Sequence, residues 1–218
     1  MEVNLHNSYQ FKNHTYQKAL PGLSHILIIR ETVPLSMSQS NPSWRAIKTN
    51  LAGMDANSLI SLIHDLYALN KENKEYLQGR VGGEAAYASL RENAAKKIRH
   101  EFFPERGFGK ARIAQVKKAI QGYKKATGDP IGTAELTLQF IEQFVKLCAE
   151  YGGHEESKLD SLSVAMSELL KILETCPAII EDLNIEERLA AAKKDASYFG
   201  YGIEDEISYL IDDIKALE

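Results

Sequence analysis

The sequence predicts an all-α fold, and three observations carry that prediction. Apolar residues recur at spacings of three and four from Trp44 to Leu217. The strongest breakers, Gly82-Gly83, Pro104, Gly128-Asp129-Pro130, Gly152-Gly153 and Pro177, fall between those runs. The one strand-like stretch, His25 to Val33, has no partner at any obvious spacing. The expected architecture is a single compact antiparallel bundle of about seven or eight helices over residues 44–218, after a poorly ordered leader over 1–43.

Taken in order, the leader holds three of the six histidines and little periodicity. It reads as unstructured, as the product of an upstream translation start, or as an arm that docks on the helical body. A polar stretch, Ser38 to Pro42, leads into the first helical pattern at Trp44. Asp55 can cap a helix in which Leu59, Ile60, Leu62, Ile63, Leu66 and Tyr67 form a broad apolar face. His64 on that helix reads as a face or packing residue. A second helix spans about 71–78, and a long one about 84–102, with Leu90, Ala94, Ile98 and Phe102 spaced by four. Pro104 stops it, because proline has no N–H to donate and clashes with the preceding turn. A basic helix is expected from Lys110 to about 126, burying Ile113, Val116, Ile120 and Tyr123. The next carries Leu136, Phe140, Ile141, Phe144, Val145 and Cys148. A heptad series follows: Leu159, Leu162, Met166, Leu169, Leu173, Cys176. One weaker helix is expected over about 178–197, and a final one carries Ile203, Ile207, Leu210, Ile214 and Leu217.

Composition narrows the function classes. No apolar run approaches the ~20 residues of a membrane helix, and no secretory signal is visible, so a cytoplasmic protein without membrane contact is expected. Cys148 and Cys176 then read as small apolar residues rather than a disulfide. The net charge of −4 conceals an asymmetry: residues 1–90 carry +1, 91–125 carry +8, and 126–218 carry −13. The basic segment either meets a polyanion or is neutralised by the acidic C-terminal half. There is no His-Glu-x-x-His, Cys-x-x-Cys pair, Glu-x-x-His or Gly-x-Ser-x-Gly. Ala111 stands where a phosphate-binding loop needs Ser or Thr after Gly109-Lys110. The Arg91–His100 spacing does not fit helical ribonuclease toxins. No cofactor, metal site or catalytic set is expected.

The informative stretch is 101–112, Glu-Phe-Phe-Pro-Glu-Arg-Gly-Phe-Gly-Lys-Ala-Arg. It reads as a helix end, a tight loop and a helix start with Gly109 as N-cap. Arg106, Lys110 and Arg112 would surround uncovered amides at the positive end of a helix dipole, an anion site. Lys110, Lys117 and Lys124, spaced by seven, would continue it along one line flanked by Lys118 and Lys125. On the alternative reading the loop is structural: Phe102, Phe103 and Phe108 plug the core, Pro104, Gly107 and Gly109 shape the turn, and the cations pair with the acidic half.

This segment, together with 59–67 and Asn73 to Leu77 upstream, resembles an uncharacterised family of small bacterial helical proteins. The shared order is a leucine-rich helix pair, a Glu-Phe-Phe-Pro…Arg-Gly-aromatic-Gly-Lys-Ala-Arg core, a Lys-rich helix, and a late glycine-aromatic-glycine turn, here Gly200-Tyr201-Gly202. The resemblance runs from about Trp44 to the C-terminus. It implies a helical bacterial cytoplasmic protein and, since the family is a domain of unknown function, no activity. The function expected first is a non-enzymatic protein-interaction adaptor. Weak, sequence-independent binding of nucleic acid or another polyanion through residues 96–125 is second. An enzyme of unrecognised type is third.

Overall fold

The computed structural model describes residues 41–152 and 155–217, so the reading of the leader falls mainly on residues outside it. The chain divides into two units, Met1–Lys48 and Thr49–Glu218. The described part of the first is residues 41–48, which open helix α1 (Trp44–Ala52).

The second unit is helical throughout, with no strand among the described residues. After the end of α1 come α2 (Ala56–Leu69), α3 (Lys71–Val81), α4 (Gly83–Phe102) and α5 (Ile113–Thr127). Then follow α6 (Pro130–Tyr151), α7 (Glu156–Thr175), α8 (Ile179–Asp182), α9 (Ile185–Ala196) and α10 (Ile203–Lys215). No described helix is long and apolar enough to cross a membrane.

The core is organised around α6. Asp129 caps it, its carboxylate accepting from Gly132 N at 3.1 Å, and Pro130 opens its first turn, where a missing N–H costs nothing. Thirteen of its 22 residues are buried, because α4, α5, α7 and α9 all pack against it. Phe102 from α4 stacks on Phe140 at 5.9 Å between ring centres and meets Phe144 edge-on at 6.0 Å. Each such fully buried side chain contributes about 1.5–3 kcal/mol of transfer free energy. The heptad face of α7 and the 3–4 face of α10 are buried as their spacing requires. Arg188 on α9 ties back to α6, donating to Glu142 at 2.7 and 2.8 Å and to Glu135 at 2.7 Å. These carboxylates hold the guanidinium firmly protonated, raising its pKa above the ordinary value.

Two elements differ from expectation. The single helix expected over 178–197 is two, α8 and α9, because Asn184 takes a left-handed conformation (φ 49°) between them. With that break and a distinct α1, the described residues form ten helices rather than seven or eight. The basic helix begins at Ile113, not Lys110, for reasons that lie in the loop before it.

Candidate functional site

The loop between α4 and α5 is built around a buried carboxylate. Glu101, one residue before the core residue Phe102, is 5% exposed. Its Oε1 accepts from Arg112 Nη2 at 2.6 Å, and its Oε2 from Arg112 Nε at 2.9 Å and Arg112 N at 3.3 Å. The Arg112 hydrogen bonds hold the Glu101 carboxyl below the ordinary carboxylate pKa, outweighing the burial that would raise it. Ala111 N donates to the Glu101 carbonyl at 2.8 Å, with Ala111 itself at φ 45°. This pulls residues 110–112 out of helical geometry and delays α5 until Ile113. Gly109 is therefore not the N-cap; Arg112 occupies that position. Gly109 instead lies against the Phe102 carbonyl, where a Cβ would collide with backbone. Gly107, at φ 78°, supplies the left-handed turn.

The predicted loop residues thus separate. Phe102 is a core plug, 1% exposed, and Phe103 packs partly against the core with Lys146 Nζ 5.4 Å from its ring centre. Pro104 follows the helix end. Phe108 does not plug the core: it is 84% exposed and meets the Tyr151 ring edge-on at 6.3 Å. The backbone turn at Gly107 and the tight seat of Gly109 carry its side chain outward.

The predicted anion site separates as well. Arg112 is engaged by Glu101, so the anion beside the start of α5 is one of the chain's own carboxylates. Lys110 belongs to the loop and does not extend the Lys117–Lys124 line. Lys118 pairs with Glu72 at 2.6 Å, and this bond holds the Glu72 carboxyl below its ordinary pKa. Lys117 donates to Ser161 Oγ at 3.2 Å. Arg106, Lys110, Lys124 and Lys125 are exposed, and among the described residues no carboxylate lies within ion-pair distance of them. Among the described residues, every carboxylate ion-paired with the segment 91–125 comes from residues 72–101: Glu72, Glu75, Glu92 and Glu101. The acidic C-terminal half pairs within itself, through Arg188, Lys146, Lys158 and Lys215. The expectation that it neutralises the basic segment by direct pairing does not hold among these residues.

The second candidate surface is α2. Asp55 caps it as expected, accepting from Asn57 N at 2.9 Å and Ser58 N at 3.1 Å. Asn70 ends α2 and caps α3, while Asn73 Nδ2 reaches back to the Leu66 carbonyl at 2.9 Å. The apolar face read from the sequence is present, yet no residue of α2 is buried. Ile60, Leu62, Ile63, Leu66 and Leu69 are 37–71% exposed. Within the second unit its main packing partner is α3 alone. His64 is 76% exposed beside Asp65 and lies one turn after Ile60, at the edge of the apolar face.

Cys148 is buried in α6, and burial pushes its thiol up to about 11, so it stays protonated near neutrality. Cys176 is partly buried and free at the end of α7. Sequence reasoning missed two features here. One is Glu101, whose signal was an acid directly beside a core-spaced phenylalanine with an arginine eleven residues on. The other is the exposure of α2, for which periodicity contains no signal. No protein-family model, no curated protein and no solved structure matches the chain.

Proposed function

We propose that this chain is a non-enzymatic protein-interaction adaptor that receives an amphipathic helix of a partner along α2. The supporting observation is that face: a capped, 14-residue helix whose Leu62, Leu66 and Leu69 follow one another at four and three residues, all exposed. Contiguous apolar patches of this kind are rare on monomeric proteins and mark interaction surfaces. An apolar helix face recruits another amphipathic helix through anchors at the same spacing. α2 carries no lysine, arginine or glutamate, and Asp65 is its one acidic side chain. The resemblance to a bacterial family supports a bacterial cytoplasmic setting and adds no activity. A photo-crosslinking residue at Leu66, compared in cells with one at exposed Lys194 on α9, tests the reading. A discrete adduct from position 66, absent from 194 and lost in a Leu62→Asp background, is expected. Equal adducts from both positions, or none from 66, would remove it.

A second reading has its own observation. Lys110, Lys124 and Lys125 face solvent without carboxylate partners among the described residues, which favours polyanion binding over internal neutralisation. Binding would be weak, sequence-independent and steeply salt-dependent, through counterion release. Duplex titrations at two salt concentrations, with wild type and a Lys117→Glu, Lys118→Glu, Lys124→Glu variant, distinguish it. Absence of low-salt binding by the wild type, or equal binding by the variant, would exclude this reading and leave the adaptor.

A further inference from the structure

A helix as short as α2 is marginal in water unless something covers its apolar face. α2 buries no residue and packs chiefly on α3. Its ends are nevertheless fixed by local bonds. Asp55 accepts from Asn57 N and Ser58 N, and Asn73 Nδ2 donates to the Leu66 carbonyl. The helix is thus held formed with its apolar stripe uncovered.

Within that stripe, Leu59, Leu62, Leu66 and Leu69 follow at three, four and three residues, the spacing of a two-helix seam. Leu59 is half-buried and the other three are exposed. Many apolar helices could cover such a seam, but the charges at its two ends are selective. Asp55 stands at the N-terminal end. At the other end are Lys71, 70% exposed, and Lys74, whose Nζ lies 5.4 Å from the Tyr67 ring centre. An antiparallel copy of α2 complements this pattern, because each Asp55 then lies toward the lysines of the other copy. A parallel copy would set Asp55 beside Asp55. Antiparallel pairing also places each helix N-terminus beside a C-terminus, which the helix dipoles favour. Leu62 then meets Leu66 of the second copy, and Leu59 meets Leu69. Asp65, at the edge of the stripe, approaches its own counterpart. It is 76% exposed, so the cost of that repulsion is small.

We propose that, when no other partner is bound, α2 pairs antiparallel with α2 of a second copy, and the chain masks its own docking face in a twofold dimer. The proposal rests on the reading of α2 as an open docking face. α2 is about 21 Å long. Two such helices cover less than the ~800 Å² per partner of a standard interface. The dimer is therefore weak, with a dissociation constant on the order of 10–100 µM. At about 1 µM the chain is monomeric and unfolds as a monomer.

The test uses the purified full chain in sedimentation velocity, from about 1 to about 300 µM. The wild type is expected to pass from monomer to dimer across that range. Leu66→Asp should stay monomeric throughout. A Lys71→Glu, Lys74→Glu variant should dimerise about fivefold more weakly at low salt, with the difference shrinking as salt rises. A photo-crosslinking residue at Leu66 should give a covalent dimer joined to residues 59–63 of the second copy. A wild type that is monomeric at the highest concentration, a dimer untouched by Leu66→Asp or by the lysine reversal, or a cross-link mapped outside α2 would each overturn the proposal. Should Leu66→Asp not fold, the cross-link map and the lysine variant decide. Failure here is separable from failure of the adaptor reading. A monomeric chain that cross-links to another protein in cells loses the self-pairing and keeps the adaptor. A dimeric chain that yields only its own covalent dimer in cells keeps the self-pairing and loses the adaptor.

Discussion

Helices α2 and α6 read alike in sequence and end in opposite places. Both begin at an aspartate cap and carry leucine, isoleucine and aromatic residues at spacings of three and four. Helix α6 buries 13 residues and α2 buries none. The difference lies in their surroundings: α6 is enclosed by α4, α5, α7 and α9, whereas α2 packs chiefly on α3. Hydrophobic periodicity reports that a face exists. It does not report whether the partner for that face belongs to the same chain. In a bundle the default inference is the core, and α2 shows where that inference fails.

The first way to break the comparison is at the core end, where the largest effect is expected. Phe102→Ala removes the ring that stacks on Phe140 and Phe144 of α6, and should cost about 3–5 kcal/mol in a denaturant melt. A near-neutral result would mean that α6 is not the tightly packed centre described here.

The second concerns the clamp that sets where α5 begins. Arg112→Ala strands the buried Glu101 carboxylate and should cost roughly 1–3 kcal/mol. The sign of its pH dependence follows from the depressed Glu101 pKa. The Arg112–Glu101 bond stabilises the fold above the ordinary glutamate value of 4.5, and that contribution is lost as pH falls through the lower, folded value. Thermal midpoints measured from pH 7 downward should therefore fall less steeply for Arg112→Ala than for wild type. Parallel curves would separate Glu101 from this role.

Gly79→Ala sharpens the comparison from the side of α3, the helix that holds α2. The added methyl meets the backbone of Ala126, which cannot withdraw as a side-chain tip could. The strain should cost about 1–3 kcal/mol, overriding alanine's better helix propensity. A stabilised variant in thermal unfolding would mean that the α3–α5 seam is looser than the geometry indicates.

These elements also mark what the sequence made legible. The buried faces of α5, α6, α7 and α10 were readable residue by residue, because each is repeated over three or more turns and enclosed by the same chain. The Asp55 cap was readable because capping is local. The start of α5 was not. It depends on Glu101 reaching Arg112 eleven residues away, and on Ala111 accepting a left-handed conformation that alanine rarely takes. The outward turn of Phe108 follows from the same loop, so a phenylalanine between two glycines looked like core and is surface. The basic segment was legible as a composition. What the sequence did not contain was which carboxylates ion-pair with its cations, and among the described residues these are Glu72, Glu75, Glu92 and Glu101 rather than carboxylates of the acidic C-terminal half.

The central claim is that the apolar face of α2 is a surface awaiting a partner and not part of the core. Paired denaturant melts of Leu66→Asp on α2 and Leu138→Asp on α6 test it most directly, since Leu66 is 45% exposed and Leu138 is fully buried. The account predicts that Leu66→Asp keeps its midpoint, within about 0.5 kcal/mol of wild type, while Leu138→Asp loses cooperative unfolding or about 4 kcal/mol and more. A loss at Leu66 comparable to that at Leu138 would place α2 inside the fold and contradict the account.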